Sequence, residues 1–316
     1  MKQAELPPNA KWSGPSHAGV KSPDPIVLPV PARRFAATAA RLDALATDHP
    51  LEAWLRFMAG LARAQHAVAT DVVPHGDVAV DTVERLVEAR LPPLAADGHP
   101  RHPSWLRGLR ALLDASAVDG LPDAAAEAIA ALRAADDLAL ERQADAFLRG
   151  QVAPADVAAA VYVAAALQVY FTASAARLDP ASLRLLEQRN LCPCCGSPSV
   201  AGVVTASGLT PGTRYLHCSL CSTAWNHVRA VCITCGATRK TAVQGIEGDP
   251  GVVMAETCGE CHTYSKLLYQ LKDMQVDPVA DDLASLGLDL LVAEAGFARH
   301  APNPLLLVGD ATEAVD

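Results

Sequence analysis

CPCCGSPSVAGVVTASGLTPGTRYLHCSLCSTAWNHVRAVCITCGATRKTAVQGIEGDPGVVMAETCGEC, residues 192–261, contains all 9 cysteines of this 316-residue chain. Eight fall into four C-x-x-C pairs: Cys192/Cys195, Cys218/Cys221, Cys232/Cys235 and Cys258/Cys261. The last two pairs repeat the first two with an offset of 40, and 22 residues separate the pairs in each copy. An offset that holds at four cysteine positions reads as a duplicated unit.

Two cysteines three apart in a tight turn aim both sulfurs at one point. A second such turn closes a tetrahedral site of four sulfurs, which suits zinc or iron. Gly196 and Gly236 follow the first and third pairs. A glycine there can take a positive φ and turn backbone N–H groups toward a thiolate. This is the knuckle of rubredoxins and zinc ribbons, although the second and fourth knuckles run into Ser222 and His262 instead. The repeat favours pairing first with second and third with fourth, while cross-braced pairing stays open. A disulfide framework would need an oxidising compartment, and a thioredoxin-like dithiol would need one C-x-x-C in a βαβ frame. Metal binding by Cys192, Cys195, Cys218, Cys221, Cys232, Cys235, Cys258 and Cys261 is the expectation. Cys194, the ninth, is expected to pack rather than to ligate.

Hydrophobic residues make up 51% of the chain but aromatics only 4%. Alanine fills the difference, which suits closely packed helices. The net charge is −9. Residues 191–266 are nearly neutral, with Arg214, Arg229, Arg239, Lys240 and Lys266 against Glu247, Asp249, Glu256 and Glu260. Four thiolates around a divalent ion add further negative charge. Both facts argue against a nucleic-acid-binding ribbon or an anionic-membrane binder. Residues 157–176 are uncharged and long enough to span a bilayer, yet alanine-rich with Gln168, Thr172 and Ser174 inside. A helix buried in a bundle is the better reading, so no stable membrane insertion is expected.

From Pro31 to about Arg189 the pattern is helical, and this part is expected to hold a core of its own. Leu51, Trp54, Leu55, Met58, Leu61, Gln65 and Val68 share one helix face. Residues 69–80 read as a loop. Asp81 with Glu84 resembles a capping box, and Ser104 is a candidate N-cap. The five histidines here, His49, His66, His75, His99 and His102, lack ligand spacing; loop or surface positions are expected for His75, His99 and His102, and a partly covered one for His66. In the cysteine region short strands are expected at residues 213–217, 225–231 and 252–256, with a turn at QGIEGDPG. After Cys261 helices are expected again. One would carry Tyr264, Leu267, Leu268 and Leu271 on a face, the next Val279, Leu283, Leu286 and Leu290. The ARHAPNPLLLVGD tail would be extended on a neighbour or cover a core edge. The expected class is α+β, opening with a disordered leader (1–30) and an all-α helical domain (31–189). Two tandem rubredoxin-like or zinc-ribbon units of four cysteines each (190–231 and 232–262) would follow, then C-terminal helices and tail (263–316).

RYLHCSLCSTAWNHVRAVCITCG, AETCGECHTYSKLLYQLKD, PVADDLASLGLDLLVAEAGFAR and NPLLL together resemble the bacterial formate dehydrogenase accessory protein family FdhE. The likeness is dense from about residue 190 onward and weaker in PLEAWLRFMAGLARAQ. It implies a cytoplasmic accessory protein, not itself an enzyme, that binds the catalytic subunit of respiratory formate dehydrogenase. It also implies two mononuclear rubredoxin-type iron ions on the eight cysteines, with zinc as the alternative, and it assigns Cys194 nothing. Independently, the chain shows no G-x-G-x-x-G, Walker loop, nucleophile elbow or H-E-x-x-H. The competing readings are a zinc-ribbon nucleic-acid binder and a redox electron-transfer protein.

Overall fold

The computed structural model describes residues 22–71, 79–98, 100–207 and 210–306. Most of the loop expected at 69–80, with His75, and also His99 lie outside the described residues.

Among the described residues seven α-helices precede the cysteine region: α1 (Pro31–Ala46), α2 (Glu52–Asp71), α3 (Val80–Glu88), α4 (Ser104–Ser116), α5 (Asp123–Ala134), α6 (Asp137–Leu148) and α7 (Val157–Ala175). α1, α2, α4, α5 and α6 pack around α7. That helix is apolar on every side, so it can only be satisfied where protein surrounds it. Its residues from Tyr162 to Ala173 are buried in an unbroken run. The expected face of α2 is also inside, with Leu55, Met58, Leu61, Gln65 and Val68 all buried.

Two helix starts differ from expectation. Ala79 occupies the cap position of α3, and Asp81 lies in the first turn, where its charge faces the helix N-terminus without capping it. Pro103 occupies the cap of α4, and Ser104 is its first helical residue. Its amide donates instead to His102 Nδ1 at 3.2 Å. The helical pattern also stops earlier than Arg189: residues 176–190 run in turns that bury Leu183.

Eight strands among the described residues form one sheet: β1 (Ile26–Val27), β2 (Ser199–Val204), β3 (Arg214–Cys218), β4 (Ala224–Asn226), β5 (Thr241–Gln244), β6 (Val253–Cys258), β7 (Thr263–Tyr269) and β8 (Ala298–Arg299). The order is β1-β4-β3-β2-β7-β6-β5, with β8 on β7. β2, β3 and β4 form one antiparallel meander and β5, β6 and β7 another. The two join edge to edge where β2 runs parallel to β7. The offset of the cysteines therefore extends to the strands, since β3 maps onto β6 and β4 into β7.

Three expectations are corrected here. The leader is ordered from residue 22 in the described structure, and Ile26 pairs with Trp225 on β4. Residues 1–21 lie outside the described residues. Second, Tyr264, Leu267 and Leu268 belong to strand β7, not to a helix. β7 is central in the sheet, and Tyr264 to Leu268 are all buried. With both faces covered, a strand loses its alternation, and its apolar spacing imitates a helix. Third, the helices that follow, α8 (Ala280–Ala284) and α9 (Leu286–Glu294), are separated at Ser285. The break changes the phase, so α9 buries Leu288 and Val292 while Leu290 is exposed.

The expectation of a separate helical core also fails. One continuous cluster of buried side chains runs from Phe35, Leu55 and Leu109 through Leu167 and Phe171 to Cys192, Cys218, Leu216 and Trp225. The first cysteine unit is packed into the helical body. A small second cluster, Ala255, Tyr264, Leu288 and Val292, seats α9 on the second unit. The tail covers a core edge, with Leu305 buried in the main cluster.

Buried ion pairs fasten the C-terminal helices. Lys266 Nζ on β7 lies 3.2 Å from Asp282 and 2.6 Å from Asp289, and donates to the carbonyls of Asp282 and Ser285. Arg299 and Asn303 Nδ2 complete the shell around Asp282. The neighbouring Asp281 binds Arg41 of α1 at 2.6 Å. The ADDLAS stretch is thus a clamp between the second unit, the tail and the first helix.

Candidate metal centres

Each knuckle is a tight turn closed by its own backbone. The amides of Gly196, Gly236 and His262 donate to the carbonyls of Cys192, Cys232 and Cys258 at 2.9 to 3.0 Å. All four residues that follow a C-x-x-C pair have a positive φ: 75° at Gly196 and Gly236, 59° at Ser222 and 54° at His262. The left-handed turn is therefore kept where glycine is absent. At Ser222 the side chain has a use: its hydroxyl accepts from Arg34 Nε at 2.9 Å and meets Thr172 Oγ1 at 3.2 Å.

The strands bring the knuckles together in the order the repeat favoured. Cys192, Cys195, Cys218 and Cys221 form one cluster, and Cys232, Cys235, Cys258 and Cys261 another, each with its sulfurs within 4.8 Å of one another. All nine cysteines are among the described residues, and the knuckles are not cross-braced. In the first cluster Cys192 Sγ is 3.5 Å from Cys221 Sγ, and Cys195 Sγ is 3.4 Å from Cys218 Sγ. The equivalent distances in the second are 3.7 and 3.8 Å. A tetrahedron with metal–sulfur bonds of ~2.3 Å has edges of ~3.8 Å. Both clusters could hold a single ion of zinc or iron size, and the donors are all soft thiols. Burial holds the Cys192 and Cys218 thiols well above their ordinary range, so an ion entering there must displace protons.

Cys194 stands outside both clusters, fully buried in the core. Two further groups were not anticipated. Thr223 Oγ1 lies 3.2 Å from Cys221 Sγ, and Thr263 Oγ1 lies 3.1 Å from Cys261 Sγ. Burial raises the Cys261 thiol, but hydrogen bonds with the Thr263 hydroxyl and amide, together with those to Cys235 and Cys232, lower the group to about 7. Each threonine can donate to a thiolate and spread its charge. Their signal was legible, because Thr223 and Thr263 obey the same offset of 40.

The units are joined by Arg214 on β3 and Glu256 on β6, a buried pair at 2.8 Å. Gly202 of β2 makes room between them, since a Cβ there would come within 3.4 Å of Arg214 Nε and 3.0 Å of Leu267. These two charges, and Lys266, thus belong to the interior rather than to a surface field. Of the histidines without ligand spacing, His49 Nε2 bonds the Ala284 carbonyl at 3.0 Å, and His66 is half-buried on α2, as expected. Neither joins a cysteine cluster.

Comparison with known proteins agrees with this architecture along the chain. The profile for the FdhE N-terminal domain matches residues 23–187, that for the FdhE central domain residues 191–229, and that for the FdhE C-terminal domain residues 230–306. A Protein FdhE homolog of Stutzerimonas stutzeri is 40% identical over 297 residues, covering 94% of this chain and 96% of its own. One from Edwardsiella ictaluri is 38% identical over 308 residues, covering 96% and 98%. The crystal structure of the FdhE protein from Pseudomonas aeruginosa superposes with a TM-score of 0.82 at 35% identity, over 90% of this chain and 99% of that one. With the three profiles matching residues between 23 and 306 and relatives about 40% identical over nearly the whole chain, the chain belongs to the FdhE family.

Proposed function

We propose that this protein is a cytoplasmic accessory factor needed for active respiratory formate dehydrogenase, binding the catalytic subunit of that enzyme rather than acting as an enzyme itself. Cys192, Cys195, Cys218 and Cys221 would hold one iron ion, and Cys232, Cys235, Cys258 and Cys261 a second, with zinc as the alternative occupant. The observation that supports the reading is the pair of four-sulfur clusters on a fold that matches an FdhE structure over 90% of the chain. Four protein thiolates leave no open coordination position for a substrate or activated water. A structural or electron-carrying ion and a rigid docking body remain.

The test combines deletion with rescue. Cells lacking the protein are expected to make the catalytic subunit without full formate dehydrogenase activity, and tagged protein is expected to retain that subunit from a cytoplasmic extract. Rescue of activity by a variant with all eight ligand cysteines changed to serine would separate the function from metal. Failure to retain the subunit, with tight binding to nucleic acid instead, would favour the ribbon alternative.

A further inference from the structure

The two clusters share ligands and turns but not surroundings. No sulfur-bearing residue of the first is more than 3% exposed. Three elements cover it. From α7, Gln168 Nε2 donates to the Ser219 carbonyl at 2.8 Å. From the segment after α3, the amides of Leu94 and Ala96 donate to the carbonyls of Cys194 and Cys195, both at 2.8 Å. From α1, Arg34 reaches Ser222. A Cβ on Gly196 would already meet Pro92 at 3.2 Å.

Among the described residues the second cluster lacks such a cover. Cys235 is exposed and Cys261 half-buried. A Cβ on Gly236 would meet nothing within 4 Å. The turn from Cys232 to Gly236 lines an open cleft of about 540 Å³, faced by Arg189, Asn226 and His227. The two units thus offer the same chemistry behind a closed and an open door.

We propose that the second cluster is the solution-addressable metal site, from which a small thiolate or nitrogen chelator can take the ion directly, while the first holds a structural ion released only when the body opens. This rests on the reading that both clusters are filled. Exchange at a closed four-thiolate site requires an incoming donor to bond the ion as one thiolate leaves. At the second cluster the donor approaches beside Cys235. Its bond to the ion forms, the bond from Cys235 Sγ breaks, and the freed thiolate takes a proton from water. The oxidation state of the ion does not change. At the first cluster the same step requires lifting the segment around residues 92–96 or parting α7 from the knuckle, so exchange waits on local unfolding.

The full-length chain, loaded with zinc to two equivalents by elemental analysis, would be mixed with excess 4-(2-pyridylazo)resorcinol. Release is expected in two phases of one equivalent each, the first at least ~10-fold faster. Cys235→Ser should remove the fast equivalent and leave the slow one. A brief iodoacetamide pulse on the loaded wild type, mapped by mass spectrometry, should label Cys235 and Cys261 ahead of the first four ligands, so the outcome does not depend on the variant folding. A single rate constant for both equivalents, or labelling of Cys192 to Cys221 at the pace of Cys235, would overturn the inequality while leaving two filled sites in place. A chain that takes up one ion or none would overturn the two-site reading itself.

Discussion

Gln168 is a polar residue in the middle of an apolar helix, and its two hydrogen bonds explain why it is there. Its Oε1 accepts from Gln65 on α2 at 2.9 Å, and its Nε2 donates to the Ser219 carbonyl in the second knuckle. Buried polar groups are stable only when partnered, so the amide joins helix, helix and knuckle in one arrangement. His227 lies between the two units under a different constraint. Burial, aided by the Arg214 charge, lowers its pKa to about 4, so it is neutral in the folded protein. The unfolded chain takes up a proton there near pH ~6.5. A depressed histidine pKa means full stability above that value, lost as pH falls toward 4. Between pH ~7.5 and ~5 this group alone would remove up to about 2 kcal/mol. His227→Gln should flatten that part of the curve, read as a smaller difference between wild type and variant in urea unfolding at the lower pH than at the higher.

Among the elements, the knuckles and β7 show how local rules are bent by their setting. A non-glycine residue in the left-handed region costs roughly 1–2 kcal/mol. Ser222 offsets this with its bonds to Arg34 and Thr172, whereas His262 makes a tilted ring contact with Phe297 at 6.1 Å. His262→Gly should therefore keep or raise stability, by up to ~1 kcal/mol. His262→Val should lower it, because a β-branched side chain fits that backbone least well. Unfolding midpoints of the metal-loaded variants would show the order Gly, His, Val, and a Val variant as stable as wild type would contradict the turn geometry. β7 reads as a helix in the sequence because its apolar residues stand three and four apart. Its true state was available through the repeat, since residues 224–226 shifted by 40 fall on it.

For the whole molecule, the shared core makes the two cysteine units unequal in their effect on stability. Removing one thiolate from a structural site loses the ion and the fold energy it supplies. Cys192→Ser should lose one ion and also loosen the helices, because its cluster is continuous with Leu167, Phe171 and Trp225. Cys232→Ser should lose one ion but expose mainly residues from 232 to 262, which pack largely outside the helical core. Hydrogen exchange along the chain would distinguish the two variants. Equal protection of α7 in both would show that the first ion is not part of the helical core.

The eight clustered cysteines, their duplication and the favoured order of pairing lay in the sequence, because C-x-x-C turns and the offset of 40 are local and repeat chemistry. The amphipathic face of α2 and the buried character of residues 157–176 were legible for the same reason: composition and period reflect what a helix must cover. The burial of one cluster and the exposure of the other were not. Knuckles of one C-x-x-C spacing carry no mark of what lies over them, and the cover comes from Leu94, Ala96, Arg34 and Gln168, which are remote in the chain. The joining of β2 to β7, the Arg214–Glu256 pair and the Asp282 clamp likewise depend on long-range pairing. A charged residue is written the same way whether it ends in water or in the interior, and only the tertiary structure decides which.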